Sequence, residues 1–204
     1  MTFYDLRAVY AHGDTSAKVY LMNEAPGPRE AVSGVPLFGD QGGNLFRALR
    51  RVNVTWAKDF NQGMAFSWPK YDADHYKNNA GRKKVSLRRA FLEVRGRYIT
   101  CSNAFDRWPK TSRGADDWVA PSDIELRSTG NELRLRGEIS SVHTVLLICG
   151  SCSWQAIFHQ SLQHANARIG YKLNACELSI ANTNLSASFR EAFYMGHTSK
   201  CGRQ

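Results

Sequence analysis

Carboxylates and amides stand where the chain passes from apolar to turn-forming sequence. The run Val19-Tyr20-Leu21-Met22 closes on Asn23-Glu24, and Ala25-Pro26-Gly27 breaks it at once. A second turn-rich stretch, Gly34-Val35-Pro36-Leu37-Phe38-Gly39-Asp40-Gln41-Gly42-Gly43, leads into an amphipathic segment over residues 44–51. The same kind of ending recurs at Tyr98-Ile99-Thr100-Cys101-Ser102-Asn103, which passes through Asp106-Arg107-Trp108-Pro109 into a polar loop reaching Pro121. A carboxylate such as Glu24, or Asp40 as a second one, supports developing positive charge or orients a water molecule. An amide such as that of Asn103 offers one donor and one acceptor side by side.

Side chains of this kind need strands to present them and helices to bury those strands. The β-branched and aromatic content of residues 17–22 predicts a first strand. The spacing over 44–51 predicts a helix that buries Leu45, Phe46 and Leu49 and turns Arg47, Arg50 and Arg51 outward. A second helix is expected over 86–94, and a strand over 98–105. Ser128 or Thr129 caps a helix running to Ile139, with Leu133, Leu135 and Ile139 on its apolar side and Arg134 and Arg136 exposed. Residues 142–149 are expected to form a strand, whose unbroken apolar part over 145–149 is the mark of a parallel strand covered on both faces. Gly150 then turns the chain into a helix through Phe158.

Composition narrows the partners. With 204 residues the chain suits one domain, 1–204. Lys and Arg number 27 against 18 Asp and Glu, a formal charge of +9. That favours a polyanionic partner, and basicity alone suits a ribosomal or membrane-surface protein equally well. Trp56, Phe60, Phe66, Trp68, Tyr71 and Tyr76 interleave with Asn and Lys ahead of Gly81-Arg82-Lys83-Lys84. Such a stretch either stacks unpaired bases while its cations hold phosphates, or supplies core aromatics beside a solvated basic loop. The longest apolar run, residues 145–149, is far too short to span a bilayer, and Met1-Thr2-Phe3-Tyr4-Asp5 has no basic leader followed by an apolar stretch. A soluble, cytoplasmic monomer without a membrane partner is expected. The five cysteines are scattered and fit reduced thiols. Cys149-x-x-Cys152 is not read as a redox pair, because Cys149 falls inside a buried strand.

Glu24-Ala25-Pro26-Gly27, then Glu30, Gly34-x-Pro36 and Gly39-x-x-Gly42 together resemble the first motif of the uracil-DNA glycosylase superfamily, closest to its Gly-Glu-Ala-Pro-Gly branch. Asn23 replaces that branch's first glycine, and Leu37-Phe38 stands where it has Phe-Val. The strand ending at Ser102-Asn103 resembles the second constellation, and the Leu-rich strand before Gly150 also matches. The fold this implies is three-layered α/β/α around a mainly parallel four-stranded sheet. For the third motif, His197 and Ser199 beside Lys200 and Arg203 compete with Asn182 and Asn184; His197 is preferred.

The resemblance implies a monofunctional DNA glycosylase that flips out a pyrimidine, uracil by default, and hydrolyses its N-glycosidic bond. Glu24 is then expected to position water or sugar, Asn103 to read the base, and His197 to stabilise the departing anion. Asn23 lines the base pocket, and either Leu37 or Phe38 stacks on the base. Arg82, Lys83, Lys84, Ser199, Lys200 and Arg203 would meet DNA phosphates. The branch's iron–sulfur cluster needs four thiolates, and no cysteine precedes Cys101. No metal and no cofactor is therefore expected. An enlarged, modified cytosine in phage DNA is an alternative substrate, which would make the protein a defence enzyme. A catalytically silent DNA-binding relative is an alternative of a different class.

Overall fold

The computed structural model describes residues 3–4, 8–52, 92–111, 114–118 and 120–196. Four strands lie parallel, β2 (Val19–Asn23), β3 (Ile99–Asn103), β6 (Val145–Ile148) and β8 (Glu191–Tyr194). A short fifth, β7 (Tyr171–Lys172), pairs antiparallel with β8, so the order is β3-β2-β6-β8-β7. The expected parallel sheet is there, with one edge extended. The polar loop expected after Pro109 instead contains β4 (Pro109–Thr111) and β5 (Gly114–Trp118), which join β1 (Phe3–Tyr4) in a small antiparallel sheet.

Alternation along the central strands divides the core into two layers, because successive side chains leave opposite faces of a strand. Tyr20, Met22, Leu146, Ile148, Ala192 and Tyr194 face one side. There they pack with Leu126 of α3 (Asp123–Leu126), Leu135 of α4 (Thr129–Glu138), Trp154 and Ile157 of α5 (Ser151–Phe158), and Ala181 and Leu185 of α6 (Ala175–Leu185). Leu21, Ile99, Cys101 and Cys149 face the other side, under Leu45 and Leu49 of α2 (Asp40–Arg51). Helices thus cover both faces, a three-layer α/β/α arrangement, which is why the central strands read as unbroken apolar runs.

Local chemistry moves several boundaries. The strand expected from residue 142 begins at Val145, because residues 140–143 form a turn. The Ser140 N–H donates to His143 Nδ1 at 2.9 Å, and His143 Nε2 lies 3.1 Å from Thr100 Oγ1. Helix α2 starts four residues early, at Asp40, since Gly42 lets its first turn settle on the Leu37 carbonyl. In α4, Ser128 caps as expected, accepting from the Asn131 N–H at 3.4 Å. Its inward stripe, however, is Asn131, Arg134, Leu135 and Glu138, which keeps the helical period but is largely polar. Leu133 is exposed, and Arg134, expected in solvent, is only 10% exposed. Of the helix expected over 86–94, residues 92–96 are helical and 86–91 lie outside the described residues. Among the described residues, no helix is long and apolar enough to cross a membrane.

A Cβ added at Gly42 would lie 1.8 Å from the Leu37 carbonyl oxygen, whereas one at Gly137 of α4 meets nothing within 4 Å. Gly42→Ala is expected to destabilise the protein by about 1–3 kcal/mol through overpacking. Gly137→Ala should stabilise it by about 0.5–1 kcal/mol through helix propensity. Urea unfolding midpoints measure both; equal midpoints for the two variants would contradict this account of α2.

Candidate active site at the carboxyl ends of the sheet

Strand β2 has β3 on one side and β6 on the other, so the chain's winding reverses beside it. Crevices outside the carboxyl ends of strands at such reversals are where open α/β sheets bind ligands. Here β2 ends at Asn23, followed by Glu24, and β6 is followed by Cys149 and Gly150. Gly150 has φ of 89°, a left-handed conformation that favours glycine. An added Cβ there would also come within 2.3 Å of Glu24 Cδ. Glycine is thus required both by the turn and by the carboxylate packed against it.

Glu24, 6% exposed, lies across the N-terminus of α5. Its Oε1 accepts from Ser151 Oγ and from the Cys152 N–H, each at 3.2 Å. Donors at a helix N-terminus favour a negative charge. Burial, reinforced by the Glu24 charge, pushes the Cys152 thiol up to about 12. Cys152 packs in one core layer and Cys149 in the other, and both are free thiols.

On the opposite face, Asn23 and Asn103 are register partners in the parallel β2–β3 pair, which puts their side chains on the same side of the sheet. Asn23 Nδ2 donates to Gln41 Oε1 of α2 at 2.8 Å. Asn103 is 0% exposed, and among the described residues neither its Oδ1 nor its Nδ2 has a hydrogen-bond partner. A buried polar group left unsatisfied costs about 1–3 kcal/mol. A strand-end amide in this condition presents one donor and one acceptor side by side.

The loop between β2 and α2 is tied internally. Helix α1 (Pro28–Ser33) begins after Gly27, whose N–H donates to Glu30 Oε2 at 2.5 Å. The Leu37 N–H donates to Glu30 Oε1, and the Phe38 N–H also donates to this carboxylate. Arg95, fully buried, donates through Nη1 to the Pro36 carbonyl at 3.2 Å. Burial raises the Glu30 carboxyl to about 7, against the opposing pull of these N–H groups and of Arg95. Leu37 has φ of 57° and joins the apolar layer of Leu21, Ile99, Cys101 and Cys149. It is a core residue. Phe38 is buried as well, 3% exposed.

The remaining expected site residues divide into two groups. Asp40 opens α2, and nothing of its side chain is described. Arg82, Lys83, Lys84, His197, Ser199, Lys200 and Arg203 lie outside the described residues. Strand β8 brings the chain to the same end of the sheet as Glu24, and the Met195 N–H donates to the Ile148 carbonyl at 2.8 Å. Asn182 and Asn184 are not at a strand end but on α6. Asn182 exchanges two hydrogen bonds with the backbone of Phe189 at 2.9 and 2.8 Å, and Asn184 Nδ2 donates to the Ile157 carbonyl at 2.8 Å. Both fasten α6 to its neighbours.

Glu30, Gln41, Arg95, Gly150 and Ser151 take part in the site although sequence pattern assigned them no role in it. An acid three residues into a segment that starts Gly-Pro is a helix-start signal, and it marks Glu30 as a capping residue. Nothing local to Arg95 or Gln41 announces their partners, which come from distant segments or another element. Among the described residues, no group of three or more His, Cys, Asp or Glu side chains is placed to hold a metal ion. The chain matches no protein-family model and no curated protein.

Glu30 supplies a pH test. Its folded value, about 7, lies above its ordinary 4.5, so the native state binds the extra proton. Its contribution is fully present below 4.5 and is lost as pH rises through about 7. Urea midpoints of the wild type should fall between pH ~5 and pH ~8, and Glu30→Gln should flatten that fall. Parallel curves for the two proteins would remove Glu30 as the source.

Proposed function

We propose that the chain is a monofunctional DNA glycosylase that receives a flipped pyrimidine, uracil by default, and hydrolyses its N-glycosidic bond. The observation that carries this reading is the buried Asn103 amide with its donor and acceptor both unmet. Uracil's Watson–Crick edge places a carbonyl beside an N–H, which is the complement of one amide. Phe38 is the proposed stacking face for the base, as an aromatic ring beside the core residue Leu37. Asn23, oriented by Gln41, lines the same side.

Departure of the base leaves positive charge on the sugar and negative charge on the ring. Glu24 meets the first, by stabilising the sugar or orienting the attacking water. Its hold on Ser151 and Cys152 keeps the carboxylate in place through the reaction. His197 meets the second, and Asp40 is a further carboxylate at the start of α2. Water is the nucleophile, so no lysine adduct forms and the strand is not nicked by β-elimination. Extrusion of the base requires purchase on the backbone, for which the charge of +9 is suited. Arg82, Lys83, Lys84, Ser199, Lys200 and Arg203 are the groups proposed to hold phosphates.

A second reading has one observation in its favour. Glu24 is held by two donors as a cap of α5, a role that survives without chemistry. In that case the protein is a silent binder of flipped bases.

Single-turnover excision, scored as alkali-labile abasic sites, separates the two. Glu24→Gln keeps an acceptor oxygen for Ser151 and Cys152 but loses the charge, and should slow excision by about a hundredfold or more. Asn103→Ala should weaken excision while leaving DNA affinity near wild type. Salt-dependent DNA binding with no abasic sites from any pyrimidine would leave the binder reading in possession. Binding itself is checked by salt titration: replacing Arg82, Lys83 and Lys84 together should reduce the slope of log affinity against log salt by about 0.9 for each phosphate that is no longer neutralised.

A further inference from the structure

We infer that Arg134, on a helix behind the sheet, is the positioning residue that aims the Asn103 amide; the inference rests on the reading of Asn103 as the base-reading group. Among the described residues strand β3 is the edge of the sheet, and its outer backbone groups need partners from elsewhere. At Cys101 they are met by His12, whose N–H donates to the Cys101 carbonyl at 2.8 Å and whose carbonyl accepts from the Cys101 N–H at 3.0 Å. At Asp106 the carbonyl accepts from the Val9 N–H at 2.7 Å. The Asn103 and Ala104 carbonyls, between these points, are met from α4 instead. Arg134 Nη2 takes both, at 2.9 and 3.2 Å.

The guanidinium making that fork is itself fixed on its other sides. Nη1 donates to both oxygens of Glu138 at 2.9 Å, and Nη2 donates to Asn131 Oδ1 at 2.8 Å. Glu138 in turn accepts from Ser102 Oγ, from Tyr20 Oη at 3.2 Å and from the Ala11 N–H at 3.1 Å. Asn131 Nδ2 adds a second donor to the Ala104 carbonyl at 2.8 Å. The peptide plane that follows Asn103 is therefore held by a planar, five-donor group that cannot rotate away.

Stability alone is a poor reason for this arrangement. A buried ion pair contributes little compared with apolar packing of the same volume, because both charges lose their water. What the pair does secure is direction. The orientation of the peptide after Asn103 sets where its Cα–Cβ bond points, and the amide at the end of that bond has no partner of its own to hold it. Lysine could keep the charge opposite Glu138 but would present a point donor in place of a fork.

The test uses the full chain with Arg134→Lys, and with Arg136→Gln as a control on the same helix, where Arg136 is exposed and bonds the Asn184 carbonyl. Should Arg134→Lys fail to fold by circular dichroism, the neutral pair Arg134→Gln with Glu138→Gln takes its place. Duplexes carrying uracil, or uracil methylated on its ring N–H, are compared in single-turnover excision. Arg134→Lys should lower the preference for the unmethylated base by about tenfold, and should cost nothing further in an Asn103→Ala background. Independent, multiplying effects, or an unchanged preference, would overturn the inference. If the wild type excises no base, the glycosylase reading fails and the positioning inference is judged by magnetic resonance of isotope-labelled protein. The Asn103 side-chain amide protons should then exchange with solvent about tenfold faster in the Arg134 variant, with the β2 backbone amides still protected. Unchanged exchange of the Asn103 amide would overturn it on that arm.

Discussion

The contact between the Glu24 carboxylate and the α-carbon of Gly150 joins the two central strands where they end. It requires a glycine at φ of 89°, a helix beginning at the next residue, and donors from Ser151 and Cys152 to hold the charge. From this arrangement the rest of the site follows. The strand pairing that brings β2 and β6 together also carries β3 to the other side of β2, and with it Asn103 beside Asn23. The loop after Glu24 must leave the crevice, cross the end of the sheet and enter α2, and its course is set by Glu30 and Arg95.

Polar groups are buried here in unusual number for a layer so close to the core. Glu30 is satisfied by three backbone N–H groups and still pushed toward neutrality. Arg95 has one nitrogen, Nε, without a partner, and Asn103 has two such atoms. Folding tolerates such groups when surrounding packing over-determines their positions, and functional sites are where that strain collects. The two core layers supply that packing, one anchored by Leu21 and Leu37 and the other by Tyr20, Leu146 and Trp154.

The layered architecture was legible in the chain because it is written in period and punctuation. The strands expected over 17–22 and 142–149 are present, beginning at Val19 and Val145, glycine at residue 150 precedes its helix, and of the two capping candidates Ser128 is the cap. Glu24 and Asn103 were legible for the same reason, as polar residues closing apolar strands. Tertiary partners were not. Arg134 and Leu133 exchange their expected sides because the inward stripe of α4 is chosen by polar partners on β3, which no hydrophobic pattern records. Leu37 and Phe38 could not be told apart either: both are buried, and the left-handed turn at Leu37 is not written in the local pattern.

The complete burial of Asn103 has a kinetic side. An amide with no exposed surface meets no ligand while the groups above it stay in place, so any occupant must wait for an opening or force one. Apparent affinity is then the intrinsic affinity reduced by the fraction of molecules open at a given moment. Under the proposed function, the same closure acts as a tariff on every base presented to Asn103, and the bases that gain most from the amide are those best able to meet it.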